Sequence, residues 1–192
     1  HRMNLLDVGD TCWRTERAQR VAFLLDNEPY YAALNSALRS AKHTIHILGW
    51  AFDPRTRLAP DGREGPDDPD EIGRILVELC RANPKLDVRV LVWRSPFGVI
   101  DRQDIRGHRA KRRFANTPVV FREARDTPIG ACHHQKIVVI DDQLAFCGGG
   151  DITTNRWDSR AHRDDEPRRI LPDHSRHPPR HEVTLMVEGA AA

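Results

Sequence analysis

The sequence predicts an α/β protein, a mostly parallel or mixed β-sheet flanked by helices. Three observations carry this. Leu86, Val88, Val90 and Val92 alternate, and Ile137 to Ile140 are β-branched throughout, both patterns of a strand. Tyr30, Leu34, Ala37, Leu38 and Ala41 recur instead at helical spacing. The two patterns also succeed one another as strand, helix and strand, an order that implies a crossover between parallel neighbours.

Each element follows from local chemistry. Val21 to Leu25 form an apolar patch. Asn27 is a candidate N-cap, with Pro29 in the first turn, where its missing N–H costs nothing. His43 to Trp50 read as the next strand. Residues 53–69 are a loop rich in Pro, Asp, Arg and Gly. Asp68-Pro69-Asp70-Glu71 then has the form of a capping box for a helix that buries Ile72, Leu76, Leu79 and Cys80. A helix over about 101–115 carries Arg102, Arg106, Arg109, Lys111, Arg112 and Arg113. Such a run is either a solvated face or a patch attracting acidic head groups and phosphates. Val119 to Phe121 make another strand, and Asp126 to Gly130 a turn. Ile137 to Ile140 and Leu144 to Cys147 are strands joined by a short turn. Residues 159–181, with many Arg, His, Asp and Pro, predict an exposed loop. His181 to Glu188 return to strand alternation.

A chain of 192 residues suits one domain with a full core. Its formal charge of +2 falls short of the basic footprint of a dedicated nucleic-acid binder. Cys12, Cys80, Cys132 and Cys147 lack paired spacing, so a disulfide framework is not expected. No apolar run approaches the ~20 residues needed to span a bilayer, and no signal-peptide pattern is visible. A cytoplasmic or peripheral membrane location is the expectation. Neither end reads as the border of a finished domain, so a piece of a longer protein is expected as well.

The chemistry concentrates between His133 and Asp158, HHQKIVVIDDQLAFCGGGDITTNRWD. Strand alternation puts the His134 imidazole and the Lys136 ammonium on one face, about 6–7 Å apart. A nucleophile or proton carrier beside a fixed positive charge suits attack on a phosphate. Gly148 and Gly149 allow close approach of a phosphodiester, and their N–H groups can donate to its oxygens. Cys132, His133, His134 and Cys147 match no usual zinc spacing, so no metal is expected.

The register His134-x-Lys136-x4-Asp141-x6-Gly148-Gly149 resembles the HKD signature of the phospholipase D superfamily. Asp151 and Arg156-Trp157-Asp158 are similar to its eukaryotic-like branch, as is ALRSAKHTIHILGW to the opening unit of such domains. The resemblance implies one of the two halves of an α-β-α sandwich, spanning residues 1–192 as a single catalytic domain. It implies catalytic roles for His134, Lys136 and Asp141, with phosphate-binding or supporting roles for Gly148, Gly149, Asp151 and Glu182. Glu182, in RHEVTLMVEG, would bond His134 and fix its tautomer. Two such motifs would meet at a pseudo-twofold, one histidine attacking phosphorus and the other protonating the departing alcohol. No cofactor is required by that chemistry. This sequence holds one His-x-Lys, so the second motif is expected in the same chain or in a homodimer mate. The implied activity is a phosphodiesterase or phosphatidyl transferase acting on phospholipid at a membrane surface. A dimeric nuclease, with nucleic acid as the less expected partner, and a non-catalytic module binding acidic phosphates are the alternatives.

Overall fold

The computed structural model describes residues 5–60, 69–94, 101–128 and 130–192, with the backbone alone for 101–106. Among these, seven strands and three helices follow the expected order. The strands are β1 (Arg20–Leu25), β2 (Thr44–Gly49), β3 (Asp87–Trp93), β4 (Val120–Ala124), β5 (Ile137–Ile140), β6 (Leu144–Gly148) and β7 (Val183–Glu188). The helices are α1 (Asn27–Ser40), α2 (Ile72–Ala82) and α3 (Asp101–Phe114).

All seven strands join one sheet in the order β1-β7-β6-β5-β2-β3-β4. The sheet is mixed. Parallel pairing is confined to β2–β3 and β3–β4, where helices supply the crossovers; β1–β7, β7–β6, β6–β5 and β5–β2 are antiparallel. Ile45, Ile47, Val88, Val90, Val138, Ile140 and Phe146 bury one sheet face, and Tyr31, Leu34, Leu38, Ile72, Ile75, Leu76, Ala110 and Phe114 cover it from the helices. Side chains of the opposite register, including Phe23, Leu91, Val120 and Val183, are exposed.

Two helix starts differ from expectation. Asp26, not Asn27, occupies the N-cap of α1, at φ 68°, and makes no side-chain cap bond. Its carboxylate accepts instead from the Glu182 N–H at 3.2 Å and meets His181 Nδ1 at 2.8 Å. Asn27 is thereby the first helical residue, and its amide is free to act elsewhere. At α2 the N-cap is Glu71, again without a cap bond, so Glu71 does not fill the third position of a capping box. Its carboxylate lies 3.8 Å from Arg113. Asp68, the other half of that box, lies outside the described residues.

Residues 159–181 contain no helix or strand, as expected, but they are not simply exposed. Ser159, Glu166, Arg169 and His177 are buried. Arg169 inserts beside Asp158 at 3.3 Å, and Arg168 pairs with both Glu166 and Glu28. A polar segment is thus held to the domain by ion pairs, the Arg169–Asp158 pair buried and the Arg168–Glu28 pair half-exposed, a pattern that hydropathy does not signal. The four cysteines are free thiols. Among the described residues no helix is long and apolar enough to cross a membrane.

Candidate active site

β5 runs antiparallel to β2 with Ile137 opposite Leu48. The residues just before β5 and just after β2 therefore meet at one end of the sheet. His134 and Lys136 precede the strand, which begins at Ile137, although the Gly148 N–H donates to the Lys136 carbonyl at 3.2 Å and extends the ladder by one residue. Trp50, following β2, gathers the pair. Its ring lies edge-on to the His134 ring, centroids 5.9 Å apart, and 5.9 Å from Lys136 Nζ. Trp93 stacks on Trp50 from β3, centroids 6.1 Å apart and planes within 10°. His133 turns to Asp126, 3.8 Å away.

Lys136 and His134 share a site but not an environment. The imidazole is exposed, whereas the lysine side chain is only 7% exposed. Burying an ammonium requires a counter-charge. Asp151, itself buried, supplies one. Its Oδ1 accepts from the Trp50 and Ala51 N–H groups, each at 2.9 Å. Its Oδ2 accepts no hydrogen bond and faces Lys136 Nζ at 3.5 Å. Lys136 Nζ also donates to the His134 carbonyl at 3.0 Å. An ammonium fixed in this way can hold a phosphoryl oxygen without first reorganising, next to an imidazole open to solvent and substrate.

Two expected members of the site, Asp141 and Glu182, make their contacts elsewhere. Asp141 is at the far end of β5, where it accepts from the N–H groups of Lys42, His43 and Thr44 at 2.7–2.8 Å. Burial raises its pKa, but those three N–H groups outweigh burial and leave it lowered. It fastens β5 to the start of β2 rather than meeting His134. Glu182 does not bond His134 either. Its carboxylate accepts from Arg156 Nη1 at 2.9 Å and from Asn27 Nδ2 at 3.3 Å. The glycine N–H groups are also committed. Gly148 donates to Lys136, and Gly149 to the Val183 carbonyl at 3.3 Å.

Gly148 and Gly150 serve close packing instead. A Cβ at Gly148 would clash with Thr184 Oγ1, and one at Gly150 with Glu182 Oε2. The run of small residues lets β6 pass against β7 before delivering Asp151 to Lys136.

A second polar cluster lies beside β7. His162 sits between two carboxylates, Nδ1 3.1 Å from Asp158 and Nε2 3.2 Å from Asp26. Asp158 also accepts from the N–H groups of Ser159 and Arg180 at 2.8 and 2.7 Å. Burial raises the Asp158 pKa, but those N–H groups, His162 and Arg169 together leave it lowered. Among the described residues, Asp26, His162 and His181 are the group whose ligand atoms are close enough to share a metal ion. Cys132, His133, His134 and Cys147 form no such group.

Comparisons with known proteins agree with the motif. The phospholipase D family model matches residues 37–192. The chain belongs to the phospholipase D family. It is 32% identical over 143 residues to Phospholipase D B of Dictyostelium discoideum, covering 72% of this chain and 11% of that protein. To the phospholipase D of Phytophthora infestans it is 31% identical over 164 residues, covering 77% of this chain and 9% of the relative. It thus spans about a tenth of the length of these relatives. The fold matches phosphatidylserine synthase of Haemophilus influenzae, with TM-score 0.58 and 16% identity over 91% of this chain and 34% of that one. It matches the phospholipase D family member Nuc of Salmonella typhimurium with TM-score 0.53 and 15% identity, over 88% and 84%.

In this chain, sequence reasoning missed Trp50 and the tie from Asn27 to Glu182. Trp50 carried a usable signal, since residues just beyond the carboxyl ends of strands in α/β sheets line ligand crevices. Asn27 carried none, because a polar residue at a helix start reads as a cap.

Proposed function

We propose that this chain supplies one half of a phospholipase D-type active site, cleaving or transferring the phosphodiester of a phospholipid with His134 as nucleophile. The observation that supports it is the pairing of an exposed imidazole with a buried, carboxylate-held ammonium beside one indole ring. The neutral His134 nitrogen attacks phosphorus, and the P–N bond forms as the P–O bond to the head-group alcohol breaks. Lys136 neutralises a non-bridging oxygen as charge builds there. The departing alcohol takes its proton from an acid contributed by a second motif, in the same protein or in a partner copy. Water or another alcohol, deprotonated by that same group, then attacks phosphorus, breaks the P–N bond and frees His134. Asp141 anchors the strand in this scheme, and Asp151 positions the lysine.

Phospholipid labelled with ³²P in its phosphate and incubated with the full-length protein should leave acid-labile label on His134 after quenching. His134→Ala should abolish that label and lower turnover at least about 10³-fold. Wild-type turnover in His134→Ala overturns the proposal.

A further inference from the structure

Apart from the arrangement around Trp50, His134 and Lys136, three stretches distant in the chain bring nitrogen and oxygen donors to one point. Asp26 lies between β1 and α1, His162 in the segment after Asp158, and His181 just before β7. Antiparallel pairing of β1 with β7, Leu25 opposite Val183, sets Asp26 near His181. Asp26 is 3% exposed, and each of its carboxylate oxygens meets one imidazole. Oδ1 is 2.8 Å from His181 Nδ1, and Oδ2 is 3.2 Å from His162 Nε2. The two rings stand edge to face, centroids 5.3 Å apart. All the candidate ligand atoms lie within 4.8 Å of one another. Ligands about 2.0–2.1 Å from a tetrahedral zinc ion stand about 3.3 Å apart, so the cluster is already close to that spacing.

The surroundings match as well. Nδ1 of His162, the nitrogen not turned to Asp26, is 3.1 Å from Asp158 Oδ2. Asp158 is fully buried and is held in turn by the N–H groups of Ser159 and Arg180. A histidine whose second nitrogen donates to a carboxylate has its tautomer and ring orientation fixed, the usual state of a metal-binding imidazole. On the other side, the His181 side chain is 72% exposed. That opening gives an ion an entry path and leaves room for a water as fourth ligand.

We infer that Asp26, His162 and His181 form a site for one divalent transition-metal ion of the zinc class, with Asp158 as the outer partner of His162. Two imidazoles and a carboxylate suit zinc or cobalt, whereas calcium and magnesium favour an all-oxygen shell. The metal takes the lone pairs of His162 Nε2 and His181 Nδ1, and any proton on those atoms passes to solvent. The bound ion ties the start of α1, the segment 159–181 and the start of β7 together. It has no part in the attack on phosphorus, so the inference does not rest on the role given to His134. The simpler alternative is that the two histidines only satisfy a buried aspartate by hydrogen bonding, and it predicts no metal affinity.

The full-length protein, stripped with a chelator and dialysed, provides the test. Cobalt(II) titrated into it should give the intense visible bands of a four-coordinate ion, and zinc should displace them. In zinc calorimetry the wild type should bind one equivalent more than His162→Gln or His181→Gln, because loss of a direct ligand costs more than the roughly 10–100-fold of an outer partner. Asp158→Asn should weaken that equivalent about 10–100-fold. His174→Gln, in the same segment but outside the cluster, should leave it unchanged. Zinc should raise the melting temperature of the wild type more than that of His181→Gln. Melts of the metal-free variants establish that each is folded, and His181→Gln, at an exposed position, carries the test where His162→Gln does not fold. Absence of the cobalt bands, equal zinc stoichiometry in the wild type and His181→Gln, or calcium bound as tightly as zinc would each overturn the inference.

Discussion

The two ends of β5 put the same functional group to opposite uses. At one end Asp141 spends its oxygens on three backbone N–H groups. At the other, Asp151 gives one oxygen to two N–H groups and turns the second toward Lys136. A carboxylate whose lone pairs are taken up by the backbone is a fastening. One that keeps an oxygen for a cation decides where that cation stands. The two aspartates cannot be told apart by residue type, only by what surrounds them.

Substitution can separate the roles. Asp151→Asn keeps the acceptor for Trp50 and Ala51 but removes the charge facing Lys136. In the full-length protein turnover per folded molecule should fall about 10²-fold, and the melting temperature should fall as well, because Lys136 is left buried without its counter-charge. Asp141→Ala should affect stability alone. Steady-state rates per folded molecule should be unchanged, while chemical denaturation shows a loss of about 2 kcal/mol from three unsatisfied N–H groups that are only partly shielded from water. If Asp141→Ala proved the more damaging to turnover, the contrast between the two ends would fail.

The glycine run gives a finer test. Gly150→Ala places a methyl against a carboxylate that Arg156 and Asn27 already hold, and should cost about 1–3 kcal/mol. A Cβ at Gly149 meets nothing within 4 Å, so Gly149→Ala should stay within about 0.5 kcal/mol of wild type. Denaturant midpoints for the two variants measure the difference. Equal effects would mean that the run serves flexibility rather than packing.

Acid titration sharpens the comparison with the segment after Asp158. The Arg168 guanidinium, outweighing burial, brings the Glu166 pKa from 4.5 down to about 2. Asp141 and Asp158 are lowered too. Folded chains therefore bind fewer protons than unfolded ones in this window. The stabilisation is fully present above about pH 4.5 and is lost as pH falls toward 2. Glu166→Gln should make the fall of melting temperature between those values shallower. An unchanged acid limb would show that the Arg168 pairing adds nothing to stability.

Much of this molecule is written locally. Val88, Val90 and Val92 alternate because a strand has a period of two, and Tyr30, Leu34 and Leu38 recur because a helix has one of 3.6. Those periods determined the order of the elements, and the spacing from His134 to Gly149 determined the family. Pairing partners were not available in the same way. Nothing near Asp141 in the chain announces that its oxygens will meet the N–H groups of residues 42–44, and nothing near Glu182 points to Arg156 rather than His134. Antiparallel pairing of β5 with β2 brings together groups about a hundred residues apart and sets which end of the strand faces Trp50. Hydrogen bonds and ion pairs act over a few ångströms in space, so tertiary structure decided which carboxylate anchors and which positions.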